Sequence, residues 1–202
     1  MRHTDLGQAL SPANRLSALA ALALLALAAP AIRAANIPRP APDFAINLPT
    51  GQPITLAQYK GKVVALAFIL TACPDCQRTV RILIRDQNEF GPRGFQVLAS
   101  AIEDKARMDV PGFVRQFNPP FPVGYNQQRA ALDFMQHPPM VGPVMPLLVF
   151  IDRDGVIRAQ YEGYEPFLAP DQVEKNLHAK ILELLNPPKP IANKRTGTKS
   201  AN

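Results

Sequence analysis

The sequence holds two cysteines, Cys73 and Cys76, with Pro74 and Asp75 between them. Two sulfurs three residues apart can share one redox change, passing between dithiol and disulfide by exchange with another disulfide. The flanking residues say how such a pair is presented. Val63 to Leu70 (VVALAFIL) is an uncharged run rich in Val, Ile and Phe, of the length of a strand buried on both faces. Beyond the cysteines the chain takes on helical character, and Pro74 falls where the first helical residue belongs, a place where its missing N–H has no helical partner to lose. Cys73 is then the N-cap. The free N–H groups and dipole of a helix start favour an anion, and the thiolate is the reactive form of cysteine, so Cys73 is the candidate nucleophile. Cys76, inside the first turn, can reach back to it and is the candidate resolving thiol.

Two plainer readings stay open, a structural disulfide and part of a zinc site. Zinc takes about four ligands, and the sequence has no second cysteine pair and no suitably spaced histidine pair. A disulfide across so short a loop constrains the unfolded chain little. With no other cysteines there is no disulfide framework.

The pattern resembles the thioredoxin superfamily and, within it, the TlpA/ResA-like thiol-disulfide oxidoreductases, which are membrane-associated or periplasmic. The resemblance runs from Pro42 to about Leu185. Besides the cysteines it is carried by Ala41-Pro42-Asp43-Phe44, the Leu56-to-Gly61 approach to the first core strand, Phe121-Pro122-Val123, and the stretch from Met145-Pro146-Leu147 to Asp154-Gly155. It implies an α/β, thioredoxin-like three-layer fold with an N-terminal β-hairpin extension and a central insertion. It implies no cofactor beyond a redox disulfide Cys73–Cys76, and protein substrates that carry disulfides. Pro146 becomes the cis-proline facing the cysteines, and Pro74, Asp75, Met145 and Pro146 line the substrate groove.

The chain departs from that pattern in two places. Many relatives have Trp before the first cysteine; here Ala72 stands there and the chain has no Trp. Thioredoxin itself has a buried Asp six residues before that cysteine, where this chain has Ala67. Both changes bear on proton transfer to the resolving thiol, and Glu103, at the end of the second predicted strand, is either a substitute or a solvated loop-edge acid. Asp75 is either a solvated helix-start residue or a like charge that opposes the Cys73 thiolate and leans the protein toward reducing its partners.

Two other functions share parts of the pattern. Copper chaperones of the SCO/SenC type carry two cysteines in a similar setting and a loop histidine; here Cys73, Cys76 and His137 are the corresponding candidates, with the cysteine spacing one residue shorter. Two thiolates and an imidazole suit copper. Thiol peroxidases related to the peroxiredoxins begin with a similar Pro-Asp-Phe segment but have Thr three residues before the attacking cysteine, where this chain has Leu70.

The elements that position the cysteines follow from the rest of the chain. Its 202 residues suffice for one domain. The net charge of +6 belongs to the ends, because residues 35–186 carry 15 basic and 15 acidic side chains, so no nucleic-acid partner is implied. Residues 1–34 hold Arg2 and Arg15, then an uncharged Ala/Leu stretch from Leu16 to Ile32 and small residues, the order of a secretory signal peptide. Cleavage after Ala34 is expected, with a retained anchor as the competing view. Export to a periplasmic or other extracytoplasmic space follows, where a reducing Cys-x-x-Cys protein needs a membrane electron donor. Residues 35–42, with Pro38, Pro40 and Pro42, read as an extended linker, 43–186 as the thioredoxin-like domain, and 187–202 as a disordered basic tail.

Within the domain, Phe44 to Leu48 and Pro53 to Leu56 predict a hairpin, Thr79 to Phe90 a helix, and Phe95 to Ile102 a second buried strand. Strand, helix and strand in that order make a right-handed parallel crossover. Helices are expected at Ala106 to Phe117, Gln128 to Gln136 and Pro170 to Leu185. Strands are expected at Phe121 to Tyr125, Leu147 to Ile151 and Val156 to Tyr161, the last two joined by an Asp-Gly turn. Apocytochrome maturation, copper-site thiol reduction and general disulfide repair all fit such a protein.

Overall fold

The computed structural model describes residues 35–187, so the predicted leader and residues 188–202 of the predicted tail lie outside the described residues. The sheet is built around Val63–Ile69 (β4), whose seven residues are all buried. Its odd-numbered residues, Val63, Ala65, Ala67 and Ile69, enter one core, and Val64, Leu66 and Phe68 enter the other. A strand with two apolar faces has no polar side to show, hence the unbroken apolar run.

Arg39–Pro40 (β1), Phe95–Ala101 (β5), Val123–Tyr125 (β6), Leu147–Ile151 (β7) and Val156–Glu162 (β8) complete a six-stranded sheet in the order β1-β8-β7-β4-β5-β6. β4, β5 and β6 run parallel, and β7 and β8 antiparallel to their neighbours. Pro74–Phe90 (α1), Ala106–Phe117 (α2) and Val173–Leu185 (α4) bury their apolar side chains in the core of one face. Gln128–Met135 (α3) and a separate hairpin of Ala45–Ile46 (β2) and Ile54–Thr55 (β3) cover the other. Phe44, beside the hairpin, meets Phe68 and Phe134 edge to face, with ring centroids 5.4 and 5.0 Å away. Such pairs are worth about 0.5–1.5 kcal/mol each beyond the area they bury. The predicted three layers, hairpin and parallel crossover are present.

The structure differs from expectation at both ends of the domain. The predicted linker, 35–42, contributes β1: Arg39 lies opposite Ile157 and Pro40 opposite Val156. Proline is tolerated at a sheet edge, where its missing N–H breaks no ladder. The Arg39 guanidinium turns inward and donates to the Phe134 carbonyl at 2.7 Å and to Gln160 Oε1 at 3.1 Å. The last helix starts at Val173 instead of Pro170, after a 3-10 turn at Pro166–Leu168.

Candidate active site

The cysteines sit where the central strands end together. Ile69, the last residue of β4, lies opposite Ala101 of β5, and Phe68 lies opposite Leu147 at the start of β7. Whatever follows Ile69 or Ala101, or precedes Leu147, is thus brought to one edge of the molecule. Residues 70–72 turn there, with the Cys73 amide donating to the Leu70 carbonyl at 3.1 Å, and α1 begins at Pro74.

Cys73 is the N-cap in extended conformation, and its Sγ accepts from the Cys76 amide at 3.4 Å. The anticipated cap therefore exists, with sulfur in the place of the usual oxygen. Both thiols are free; Cys73 is half-buried and Cys76 fully buried. Cys76 Sγ accepts from the Leu70 amide at 3.4 Å. Burial pushes the Cys76 thiol well above its ordinary range; Cys73 and Asp75 push the same way more weakly, and the Leu70 N–H opposes them. The geometry gives the pair unequal parts: each sulfur has one amide donor at 3.4 Å, but one is reachable and the other is sheltered.

Asp75 is exposed, and its carboxylate pairs with Arg78 one turn on at 2.5 Å. Of the two readings of Asp75, a solvated helix-start residue and a charge opposing the Cys73 thiolate, the second is weakened by this guanidinium. Glu103 is placed by the end of β5 and is not a loose loop-edge acid. Its Oε1 accepts from both the amide of Thr71, at 2.8 Å, and the Thr71 hydroxyl, while Oε2 is buried and, among the described residues, has no partner. Gln77 Nε2 donates to the Thr71 carbonyl at 2.9 Å, so the turn before Cys73 is held from the strand and from the helix.

The Met145–Pro146 bond is cis, and Met145 packs against both cores. The backbone before it is held by Gly163, just past β8, whose amide donates to the Val144 carbonyl at 2.7 Å. A β-carbon on Gly163 would lie 2.1 Å from the Met145 carbonyl oxygen. Sequence reading passed over Gly163 and Gln77. A glycine at a strand end is the usual mark of a close backbone approach, so the first had a signal; Gln77 had none.

The His137 side chain is buried, with Nδ1 3.0 Å from the Pro138 carbonyl and Nε2 3.3 Å from Glu162 Oε1. Both ring nitrogens are therefore engaged away from the thiols. Among the described residues no three His, Cys, Asp or Glu side chains gather as a metal site, so Cys73, Cys76 and His137 do not form the ligand set that the copper alternative requires.

The chain is similar to the thiol-disulfide oxidoreductase ResA of Bacillus cereus, 27% identical over 144 residues that cover 67% of this chain and 80% of that one. It is 26% identical to the ResA of Geobacillus kaustophilus over 139 residues, 69% of this chain and 75% of that one. Among solved structures it matches one named provisionally as the thiol:disulfide interchange protein DsbE of Chlorobium tepidum, with a TM-score of 0.63 and 26% identity over 75% of this chain and 99% of that one. The model of the AhpC/TSA family matches residues 37–160, from just before β1 into β8. A match of that extent takes in part or all of every strand of the sheet, and the chain belongs to the thioredoxin-like AhpC/TSA family.

Proposed function

We propose that the chain is an exported thiol-disulfide oxidoreductase that reduces disulfides of partner proteins through its Cys-Pro-Asp-Cys site. The observation that carries the reading is the inequality of the two thiols at the end of the sheet: Cys73 half-buried with the Cys76 amide on its sulfur, Cys76 enclosed. Relatives named as thiol-disulfide oxidoreductases support the same class of reaction.

The steps balance as follows. The Cys73 thiolate attacks one sulfur of the partner's disulfide, forming a mixed disulfide and releasing the partner's other sulfur as a thiolate. Cys76 then gives up its proton and attacks Cys73 Sγ, which closes Cys73–Cys76 and frees the partner as a dithiol. Two electrons have moved from this chain to the partner. Its own disulfide must then be reopened by a dithiol donor, and the leader-like residues 1–34 support a membrane-borne donor facing an oxidising, extracytoplasmic space. Pro74, Asp75, Met145 and the cis Pro146 make up the surface that meets the partner chain in this reading.

The experiment is a trap. In Cys76→Ser the second attack is removed, so incubation with an oxidised protein substrate accumulates a species carrying that substrate on Cys73, seen by non-reducing electrophoresis and mass spectrometry. Wild type should reduce insulin, and Cys73→Ser should not. Wild-type activity in Cys73→Ser would overturn the assignment.

A further inference from the structure

A groove of about 390 Å³ runs from Pro74, the neighbour of Cys73, along α1 to the first turn of α4. Arg78, Arg81 and Arg85 line it at spacings of three and four residues, one stripe of the helix, facing Val173 and Glu174. Its lining thus sets three guanidinium groups against one carboxylate. The excess is local, since residues 35–186 balance in charge.

Arg85 reaches Glu174 at 2.6 Å and Arg78 reaches Asp75, and both pairs are exposed. Exposed pairs of this kind hold little free energy and exchange readily for another carboxylate. Arg81 lies at the middle of the stripe with its guanidinium 4.8 Å over the Phe117 ring and, among the described residues, no carboxylate within ion-pairing distance. The ring packs against the group, which is exposed and, among the described residues, has no hydrogen-bond acceptor. Arginine's fork of donors suits carboxylates in particular.

We propose that this groove docks an acidic segment of the protein whose disulfide meets Cys73. The inference rests on the disulfide-reductase reading above and deepens it by naming the chemistry of the substrate. The groove opens on the residue next to the attacking sulfur, so a chain bound there with its cystine at Cys73 lays the residues beside that cystine over the arginines. Charge across such a surface acts mainly on the rate of encounter and is screened by salt.

The test uses the reduced full chain and three peptides with the same internal disulfide, flanked by Glu, Ser or Lys. Second-order rate constants are read by acid quench and mass spectrometry at low and high salt. The acidic peptide should react roughly tenfold faster than the neutral one at low salt, an advantage that shrinks at high salt. In Arg81→Glu the acidic-to-neutral ratio should fall about tenfold, while Arg129→Glu, on α3 at the other face, should leave the ratio at its wild-type value. Equal rates for all three peptides, or a ratio unmoved by Arg81→Glu, would overturn the docking inference and leave the reductase reading standing. If no disulfide is reduced, glutathione disulfide included, both fall.

Discussion

Gly163→Ala is the substitution for which the structure gives the clearest expectation. The new β-carbon would stand 2.1 Å from the Met145 carbonyl oxygen, 2.6 Å from the carbon bonded to it and 3.1 Å from the Val144 oxygen. Contacts of a β-carbon do not fall below 3.0 Å, so the Met145 carbonyl must retreat by about 0.9 Å. Gly163 does not have positive φ, so alanine suits its own backbone and the whole effect passes to its neighbours. Those neighbours are backbone atoms next to Pro146, with no flexible side chain to swing away. Forcing apart a packed contact costs about 1–3 kcal/mol. A displacement of about 1 Å in a positioning group can lower a rate on the order of a hundredfold. The assay pairs a urea melt with the rate of peptide disulfide reduction. The expected result is a modest loss of stability with a much larger loss of rate. Gly142→Ala, in the loop ahead of Pro146 with nothing within 4 Å of its β-carbon, serves as the neutral control. A Gly163→Ala protein that melts and reduces like wild type would refute the reasoning, since the clash would then be absorbed without moving the groove.

Two further expectations concern stability. Burial pushes the Asp86 carboxyl up to about 6 from 3.8, with His178, whose Nδ1 is 3.6 Å away, pulling it back only in part. The folded value lies above the unfolded one, so this stabilisation is complete below pH 3.8 and is lost as pH rises through 6, a loss of at most about 3 kcal/mol. Asp86→Asn should flatten that slope and stand above wild type at pH 7 in urea denaturation; an unchanged slope removes the basis for it. Arg39→Ala leaves the buried Phe134 carbonyl without its donor and should cost about 1–3 kcal/mol in the same assay. An unaltered midpoint would show that the Arg39 side-chain bonds add nothing to the fold.

Elements declared by local chemistry are legible in the sequence. The helix Ala106–Phe117 coincides with its prediction, and the Asp-Gly turn between β7 and β8 follows from Gly155 at positive φ and Asp152, whose Oδ1 accepts from the amides of Asp154 and Val156 at 2.9 Å. The Cys73 cap is legible for the same reason, since Pro74 marks the helix start within the motif itself. What is not legible depends on residues far apart in the chain. Arg39 looks like part of a solvated linker because its acceptors, Phe134 and Gln160, lie 95 and 121 residues away. Glu103 stands out in the sequence only as a possible substitute acid, and its contact with Thr71 emerges when β5 is set beside β4. The pairing of Asp75 with Arg78 is at ordinary helical spacing, but a sequence does not show which of several charges a side chain chooses.

The short segments at the two margins of the sheet bear on how the molecule behaves in company. β1 lies along β8 for two residues, one of them a proline, and at the opposite side Asn47 bridges to Tyr125 of β6. Both contacts are short and one of them carries a proline, features that make a sheet margin a poorer template for another copy. On the reductase reading proposed above, contact with a second chain is wanted at the cysteine end of the sheet and not along its margins.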